Sequence, residues 1–237
     1  MDLNSYLILK DVTKGWSAFV CGAGPSLYDA YTSPRFKEMF NHVVISANSS
    51  IMAMPWRTSP ANLKTRYWIS NDSLCIRWSW WRTHLKKAIC TKIVRNSWWP
   101  KFKNQIEDFL IFTPRRSPEN EIDPEGVGLA YCSSVPTGLD LAIFLGCKNI
   151  FLLGVDHCKR GKYTHYWQRL PNPPRQLRPA QGPFKVQQRV FPINDLAYKA
   201  LHGYADIKGV KIYNCNPNSK VEEFEKITFE QAFRIIK

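Results

Sequence analysis

A glycine-rich turn is the first segment of the chain whose residue types suit a chemical role. Gly22 and Gly24, in the sequence Cys21-Gly-Ala-Gly-Pro-Ser-Leu27, permit a tight turn that brings the backbone close to a ligand. Pro25 and Ser26 then favour the start of a helix, whose free N–H groups can bind phosphate. The turn lacks the third glycine of a dinucleotide-binding fingerprint and the Lys-Ser/Thr of a Walker A loop. The sequence therefore predicts a phosphate-binding turn that is neither a dinucleotide-binding fingerprint nor a Walker A loop.

Asparagines follow two apolar runs further along the chain, in Ser46-Ala-Asn48 and in Ser70-Asn-Asp72. The amide of Asn48 or Asn71 can donate and accept hydrogen bonds to a base, a ribose or a phosphate. Either asparagine alone would be explained as a cap or turn residue. Their recurrence at consecutive strand ends favours a nucleotide site, with Asp72 as one of the few carboxylates nearby.

Hydroxyl side chains open a helix in Ser133-Ser-Val-Pro-Thr-Gly138. Ser134 or Thr137 would be an N-cap residue in the plainest interpretation. The same hydroxyls could instead hold the phosphate of a donor substrate, and the residues alone leave both roles open.

A carboxylate and an imidazole come after the next apolar run. Asp156 stands at the predicted carboxyl end of a strand, and Tyr163 and His165 follow in Gly-Lys-Tyr-Thr-His-Tyr-Trp167. A histidine in this basic loop is either a surface residue or a general base that titrates near neutrality. We expect the surrounding positive charges to lower its pKa and keep it neutral.

Short apolar runs that alternate with helical segments would position these residues. The predicted strands are 17–22, 42–47, 67–70, 110–113, 149–153 and 210–213, and the predicted helices are 36–40, 73–87, 137–145, 194–207 and 228–236. Apolar runs without polar alternation are typical of strands covered on both faces. The pattern predicts an α/β fold with a Rossmann-like, mostly parallel, doubly wound sheet.

The composition of the 237 residues, with 44% hydrophobic side chains and a net charge of +14, excludes a disordered or fibrous chain. We expect one domain, residues 1–237, without a membrane span and located in the cytoplasm. The seven scattered cysteines form no C-x-x-C pair, so we expect reduced thiols and no structural metal.

Two acid-free basic segments interrupt the regular alternation. Residues about 73–106 form a predicted helical insert rich in tryptophan, and residues about 157–192 form a proline-rich basic lid. Such positive surfaces suit phosphate-bearing ligands. The tryptophans and bases of the insert could bind nucleic acid, or the tryptophans could lie in the core or in the interface of a homo-oligomer. The tryptophans concerned are Trp78, Trp80, Trp81, Trp98 and Trp99.

The order of these motifs resembles one superfamily. It contains the bacterial sialyltransferases that use cytidine-monophosphate sugars, the flagellin-accessory glycosyltransferases and the archaeal hydroxymethylpterin diphosphokinases. The resemblance covers residues 17–72 and 130–237 and fails across the tryptophan-rich middle. Two further motifs support it, S-S-x-x-T-G…L-G-x-K-N-I-x-L-L-G-x-D and a late I-Y-N-C-N-P-N-S.

The resemblance implies roles for individual residues. It puts Gly22, Gly24, Pro25 and Ser26 in the nucleotide loop, Asn48 and Asn71 at the donor, and Ser133 and Ser134 near its phosphate and sugar. Tyr163 matches a phosphate-binding tyrosine of the sialyltransferases, whose partner tyrosine is replaced here by Cys158.

The branches of the superfamily differ in the position of the histidine that acts as the catalytic base. The sialyltransferases have their catalytic histidine in the lid, where this chain has Phe184-Lys-Val-Gln-Gln188. Asp156 and His165 match instead a D…T-H pattern of the flagellin-accessory branch, which makes these two residues the catalytic candidates.

A nucleotide-sugar transferase is the function that the resemblance implies, and the candidate nucleotide site and base are compatible with it. A nucleotide-activated donor such as a CMP-sugar would give its sugar to a glycan or another hydroxyl acceptor, with His165 as base and no cofactor or metal. One alternative is diphosphate transfer from ATP to a pterin-like alcohol, which would need magnesium. The other is a nucleic-acid-binding or nucleic-acid-modifying protein, such as a DNA glycosyltransferase.

Overall fold

An eight-stranded parallel sheet forms the centre of the molecule. The computed structural model describes residues 8–56, 63–72, 75–95, 110–113, 133–173, 184 and 188–236. The strands are β1 Ser17–Cys21, β2 Val43–Ala47, β3 Arg66–Ser70, β4 Thr91–Arg95, β5 Leu110–Thr113, β6 Asn149–Leu153, β7 Lys211–Asn214 and β8 Glu225–Lys226. Their order is β5-β4-β3-β2-β1-β6-β7-β8. This confirms the predicted α/β fold with a doubly wound, Rossmann-like sheet.

Helices cover both faces of the sheet. They are α1 Leu27–Thr32, α2 Ser79–Lys87, α3 Ser134–Phe144, α4 Phe191–Ile207 and α5 Phe229–Ile235. Short 3₁₀ segments lie at Pro34–Asn41, Asn48–Ala53, Leu63–Thr65, Cys75–Arg77 and Tyr166–Arg169. No helix within the described ranges combines the length and the apolar character that crossing a bilayer requires.

Strand β1 shows why the apolar runs form the interior. Phe19 joins the core under α1, α2 and α5, whereas Val20 joins the core under α3 and α4. Because successive side chains of a strand point to opposite faces, a strand covered on both sides needs apolar residues at every position. Every residue of β1 is buried.

The chain reverses its direction of travel across the sheet between β1 and β6. Strands β1 to β5 follow one another towards one edge, and β6 to β8 follow one another towards the other. Open α/β sheets bind their ligands in the crevice beyond the carboxyl ends of the strands at such a reversal. We call this place the switch crevice; it lies beyond Cys21 of β1 and Leu153 of β6.

The segment expected to be a helical insert contributes to the sheet. Residues 75–95 supply α2 and also β4, which pairs in parallel with β3 and β5. Trp80 and Trp81 are 3% and 0% exposed and belong to the core, and Trp78 packs on Trp80. These tryptophans therefore follow the core interpretation rather than the stacking one, whereas Trp98 and Trp99 lie outside the described residues.

The cysteines within the described ranges are free thiols. Cys21, Cys75, Cys90 and Cys147 are buried. Cys158 and Cys215 are partly buried. Cys132 lies outside the described residues.

Candidate functional site

The glycine turn packs against the strand end that carries Asp156. The N–H groups of Gly22 and Gly24 donate to the carbonyls of Leu153 (2.7 Å) and Gly154 (2.9 Å). A Cβ atom on Gly22 would lie 2.5 Å from the carbonyl oxygen of Gly154, closer than real Cβ contacts allow. These two glycines therefore permit a close approach between two loops of the protein itself, and their N–H groups are already paired.

Asp156 joins the two sides of the switch crevice. Its carboxylate accepts a hydrogen bond from the backbone N–H of Ser26 (3.0 Å) and another from the side-chain amide of Asn216. The residue is 4% exposed, and burial raises the pKa of its carboxyl group, an effect opposed by the hydrogen bonds from Ser26 and Asn216 and by the charge of Arg169. In this arrangement Asp156 holds the start of α1 and the loop after β7 in place.

Asn48, Asn71 and Ser134 meet at the ends of β2 and β3. The hydroxyl of Ser134 donates to Oδ1 of Asn48 (2.9 Å) and accepts from the N–H of Asn71 (2.9 Å). Ser70 also donates to Oδ1 of Asn48 (3.3 Å), and Nδ2 of Asn71 donates to Thr137 (2.8 Å). We call these five residues the asparagine–serine network.

The asparagine–serine network keeps hydrogen-bonding capacity for a ligand. Oδ1 of Asn71 is buried and has no hydrogen-bond partner among the described residues. A buried carbonyl oxygen without a partner costs about 1–3 kcal/mol. Because Asn71 is only 2% exposed, a ligand donor would recover that free energy only after the side chains that cover the oxygen had moved. The backbone of Asn48 has a φ of 50°, which asparagine tolerates better than most residues.

Asp72 and Ser133 stand beside this network. The carbonyl of Asp72 accepts from the N–H of Cys75 (3.0 Å), at the start of the 3₁₀ segment Cys75–Arg77. The carbonyl of Ser133 accepts from the hydroxyl of Thr137 (3.0 Å), at the start of α3. Both residues were expected at the donor, and the structure places both within one residue of the network.

His165 lies in the described part of the predicted lid, residues 157–173. Its Nδ1 is 3.0 Å from the hydroxyl of Thr164, and its ring stacks on Trp167 with centroids 5.3 Å apart. Burial lowers its pKa to about 4. The direction of this shift matches the expectation, but its cause is burial rather than neighbouring positive charge.

The two catalytic candidates do not touch each other. Within the described part of the chain no hydrogen bond joins Asp156 to His165. His157 points elsewhere: its ring stacks on Phe191 of α4 (4.2 Å), and its Nδ1 is 3.1 Å from the carboxylate of Asp195.

Tyr163 lies in a tight turn with Arg160. The backbone groups of these two residues pair in both directions, at 3.0 and 3.1 Å. The lid segment then runs to Arg169, whose Nη1 donates to the carbonyl of Pro25 (3.1 Å) and to the carboxylate of Asp29 (2.8 Å). The loop that carries Tyr163 and His165 is therefore anchored to the glycine turn.

Several of these partners were missed in the sequence. Asn214 and Asn216 lie in the motif Ile212–Ser219, which supported the resemblance without suggesting a role for either. Asn214 donates to the carbonyl of Val155 (3.0 Å), and Asn216 contacts Asp156. For Asn214 the available clue was its position directly after the predicted strand 210–213, which is the same clue that identified Asn48.

The described residues contain no group of three or more His, Cys, Asp or Glu side chains that could hold a metal ion. The residues at the switch crevice are mainly amides, hydroxyls and backbone groups. Such a set can bind a nucleotide through hydrogen bonds.

Solved structures of two transferases resemble this chain. The MAf glycosyltransferase from Magnetospirillum magneticum AMB-1 matches with a TM-score of 0.58 and 14% identity, over 92% of this chain. The chain spans only 34% of the length of that protein. The sialyltransferase CstII from Campylobacter jejuni, solved with cytidine-5'-monophosphate, matches with a TM-score of 0.53 and 14% identity, over 91% of this chain and 86% of that one.

No protein-family model and no curated protein matches the sequence. At 14% identity the structural likeness concerns the fold. The chain therefore shares the Rossmann-like α/β fold of these two transferases, in agreement with the resemblance of its motifs.

Proposed function

We propose that this protein is a glycosyltransferase that uses a cytidine-nucleotide sugar as donor. The observation that carries the proposal is the asparagine–serine network, with the unpaired Oδ1 of Asn71 inside it. The network lies at the carboxyl ends of β2 and β3, the edge where parallel sheets bind nucleotides. The fold shared with a sialyltransferase solved with CMP supports a cytidine nucleotide as the donor moiety.

The reaction would be a displacement at the anomeric carbon of the donor sugar. The acceptor hydroxyl oxygen forms the new bond to that carbon, the bond to the phosphate oxygen breaks, and CMP leaves with the bonding electrons. His165 takes the proton of the acceptor hydroxyl, and Tyr163 stabilises the leaving phosphate by donating a hydrogen bond. Asn48, Asn71 and Ser134 hold the nucleotide.

CMP binding tests the donor site. In Asn71→Ala and Asn48→Gly we expect the Kd for CMP to rise about tenfold, because each change removes one or two hydrogen bonds. Glycine is chosen at position 48 because it accepts the positive φ of Asn48 without strain. Asn41→Ala is the control, since Asn41 is exposed at the opposite end of β2. Equal CMP affinity in all four proteins, measured by calorimetry, would reject the donor site.

Metal dependence separates this proposal from diphosphate transfer. A displacement that relies on hydrogen bonds and a histidine base needs no divalent cation, so we expect full turnover in EDTA. Loss of turnover in EDTA with rescue by magnesium would favour transfer from ATP instead.

A further inference from the structure

Two lysines beside the switch crevice lie over aromatic rings rather than beside carboxylates. Nζ of Lys159 is 4.9 Å from the ring centroid of Phe184, and Nζ of Lys162 is 5.6 Å from that of Tyr163. Both lysines are exposed, and neither forms an ion pair within the described residues. A lysine over a ring is partly ordered while its charge stays uncompensated.

The neighbouring arginines differ from these lysines because they have a carboxylate partner. Arg160 and Arg169 both form ion pairs with Asp29 of α1. The described residues 157–173 contain no acidic side chain. The positive charge of Lys159 and Lys162 is therefore available to a ligand.

The location of the lysines ties them to the site. Lys159 directly precedes the Arg160–Tyr163 turn and Lys162 lies within it, and this turn follows Asp156 beyond the end of β6. Lys220, another exposed lysine, lies at the same strand end, because its N–H donates to the carbonyl of Asp156 (2.8 Å). Positive charges grouped at the mouth of a crevice attract an anionic substrate into it.

We propose that Lys159 and Lys162 form an acceptor subsite and that the acceptor is an anionic glycan carrying carboxylate groups. This rests on the proposed glycosyltransferase function. Exposed ammonium groups suit carboxylates on a sugar chain. A single-stranded nucleic acid would also stack its bases on aromatic rings beside the lysines, whereas the two rings next to them, Phe184 and Tyr163, already face the lysines.

The experiment compares two double variants that remove the same charge. Lys159→Gln/Lys162→Gln changes the proposed subsite. Lys208→Gln/Lys211→Gln is the matched control. Nζ of Lys208 also lies 5.6 Å from a ring centroid, that of Tyr204. Lys211 is the first residue of β7 and Lys208 precedes this strand, so both control lysines lie at the end of the strand opposite to the switch crevice. Trigalacturonic acid is the anionic probe, maltotriose is the neutral one, and calorimetry at constant salt measures both.

We expect trigalacturonic acid to bind more tightly than maltotriose, and its Kd to rise about tenfold in the subsite variant but less than about twofold in the control. Equal weakening in both variants would overturn the proposal, since total charge alone would then matter. A CMP affinity that falls as much as the trigalacturonate affinity in the subsite variant would also overturn it, because the lysines would then serve the donor.

Two further outcomes distinguish a failure of the subsite proposal from a failure of the proposed function, and glycan binding from nucleic-acid binding. If the unmodified protein fails to bind CMP but shows the expected lysine-dependent trigalacturonate binding, the donor proposal fails and the anionic subsite stands. Tighter binding of a thymidine decamer than of trigalacturonic acid, dependent on the same lysines, would overturn the subsite in favour of nucleic acid.

Discussion

The carboxylate of Asp156 accepts a hydrogen bond from the backbone N–H of Ser26 at 3.0 Å, although 130 positions separate the two residues in the chain. This bond connects the loop after β6 with the start of α1, the two segments that border the switch crevice. Because Asp156 is buried, the bond is protected from water.

Replacing Asp156 tests how strongly this bond holds the crevice together. In Asp156→Asn an amide oxygen can still accept from Ser26, but the new NH₂ group faces the NH₂ group of Asn216. We expect the free energy of unfolding to fall by about 1–3 kcal/mol, measured by urea denaturation at pH 7. Asp206→Asn, at an exposed position of α4, should change it by less than about 0.5 kcal/mol. Equal stability of the two variants would contradict a role for this bond.

Two glycine replacements should have opposite effects on stability. A Cβ on Gly24 would collide with the carboxylate of Asp156 and lie 2.6 Å from the carbonyl oxygen of Gly154, so Gly24→Ala should cost about 3 kcal/mol. A Cβ on Gly203, inside α4, would have no atom within 4 Å. Gly203→Ala should therefore stabilise by about 0.5–1 kcal/mol, because alanine favours the helix. Thermal and urea unfolding measure both, and a tolerated Gly24→Ala would contradict the close approach of the two loops.

The pH dependence of stability should report on His165. Its pKa is about 4 in the folded protein against about 6.5 when unfolded, so the unfolded chain binds more protons between these values. Stability from this group is complete above pH 6.5 and falls by about 3 kcal/mol as the pH drops towards 4. Urea unfolding from pH 4 to 8 should show this loss in the unmodified protein and a smaller one in His165→Gln. Identical pH profiles would mean that His165 is not buried as a neutral ring.

Catalysis by His165 makes a separate prediction. If His165 is the base, His165→Ala should lower kcat by about 10²–10⁴ and leave the Kd for CMP unchanged. The acid limb of kcat/KM should lie near pH 4, because the pKa of the free protein governs that profile. His157→Gln should lose stability, since His157 packs on Phe191, but keep kcat within about tenfold. A His165→Ala variant that raises only the acceptor KM would show that His165 binds the acceptor instead.

Asp29 should hold the lid segment through its two arginines. In Asp29→Asn, Arg160 and Arg169 lose their ionic partner, so we expect amides of residues 160–169 to exchange hydrogen about fivefold faster. Glu38→Gln breaks the exposed pair with Arg35 and serves as the control. Mass-spectrometric exchange measures both variants, and unchanged exchange in residues 160–169 would show that other contacts hold the segment.

The local apolar pattern was enough to predict six of the eight strands of the sheet, but not β4 or the two-residue β8. Thr91–Arg95 has only two apolar residues between basic ones and lies within an acid-free segment, which suggested a helical insert. Lys92 is in fact 1% exposed. Lysine is almost never fully buried, so rules drawn from residue type place such a residue on the surface. Only the pairing of β4 with β3 and β5 reveals where it lies.

The site residues that directly follow a strand could be predicted from the sequence. The residues that depend on contacts between distant segments of the chain could not. Asn48 and Asn71 directly follow strands, so their proximity could be inferred from parallel pairing. Asn216 contacts Asp156 because β7 pairs with β6, and Asp29 meets two arginines more than a hundred positions away. The order of the strands and the paths of the loops determine these contacts, and the local sequence pattern indicates neither of them.

The position of β1 also has a consequence for how the molecule folds. Its partner β2 follows soon after it in the chain, whereas its partner β6 comes only after β5, α2 and α3. Closing so large a loop costs entropy before any contact repays it, which slows the non-local pairing. In refolding experiments the sheet from β1 to β5 can assemble early, but the switch crevice comes into existence only when β6 joins. Ligand binding should therefore recover more slowly than secondary structure.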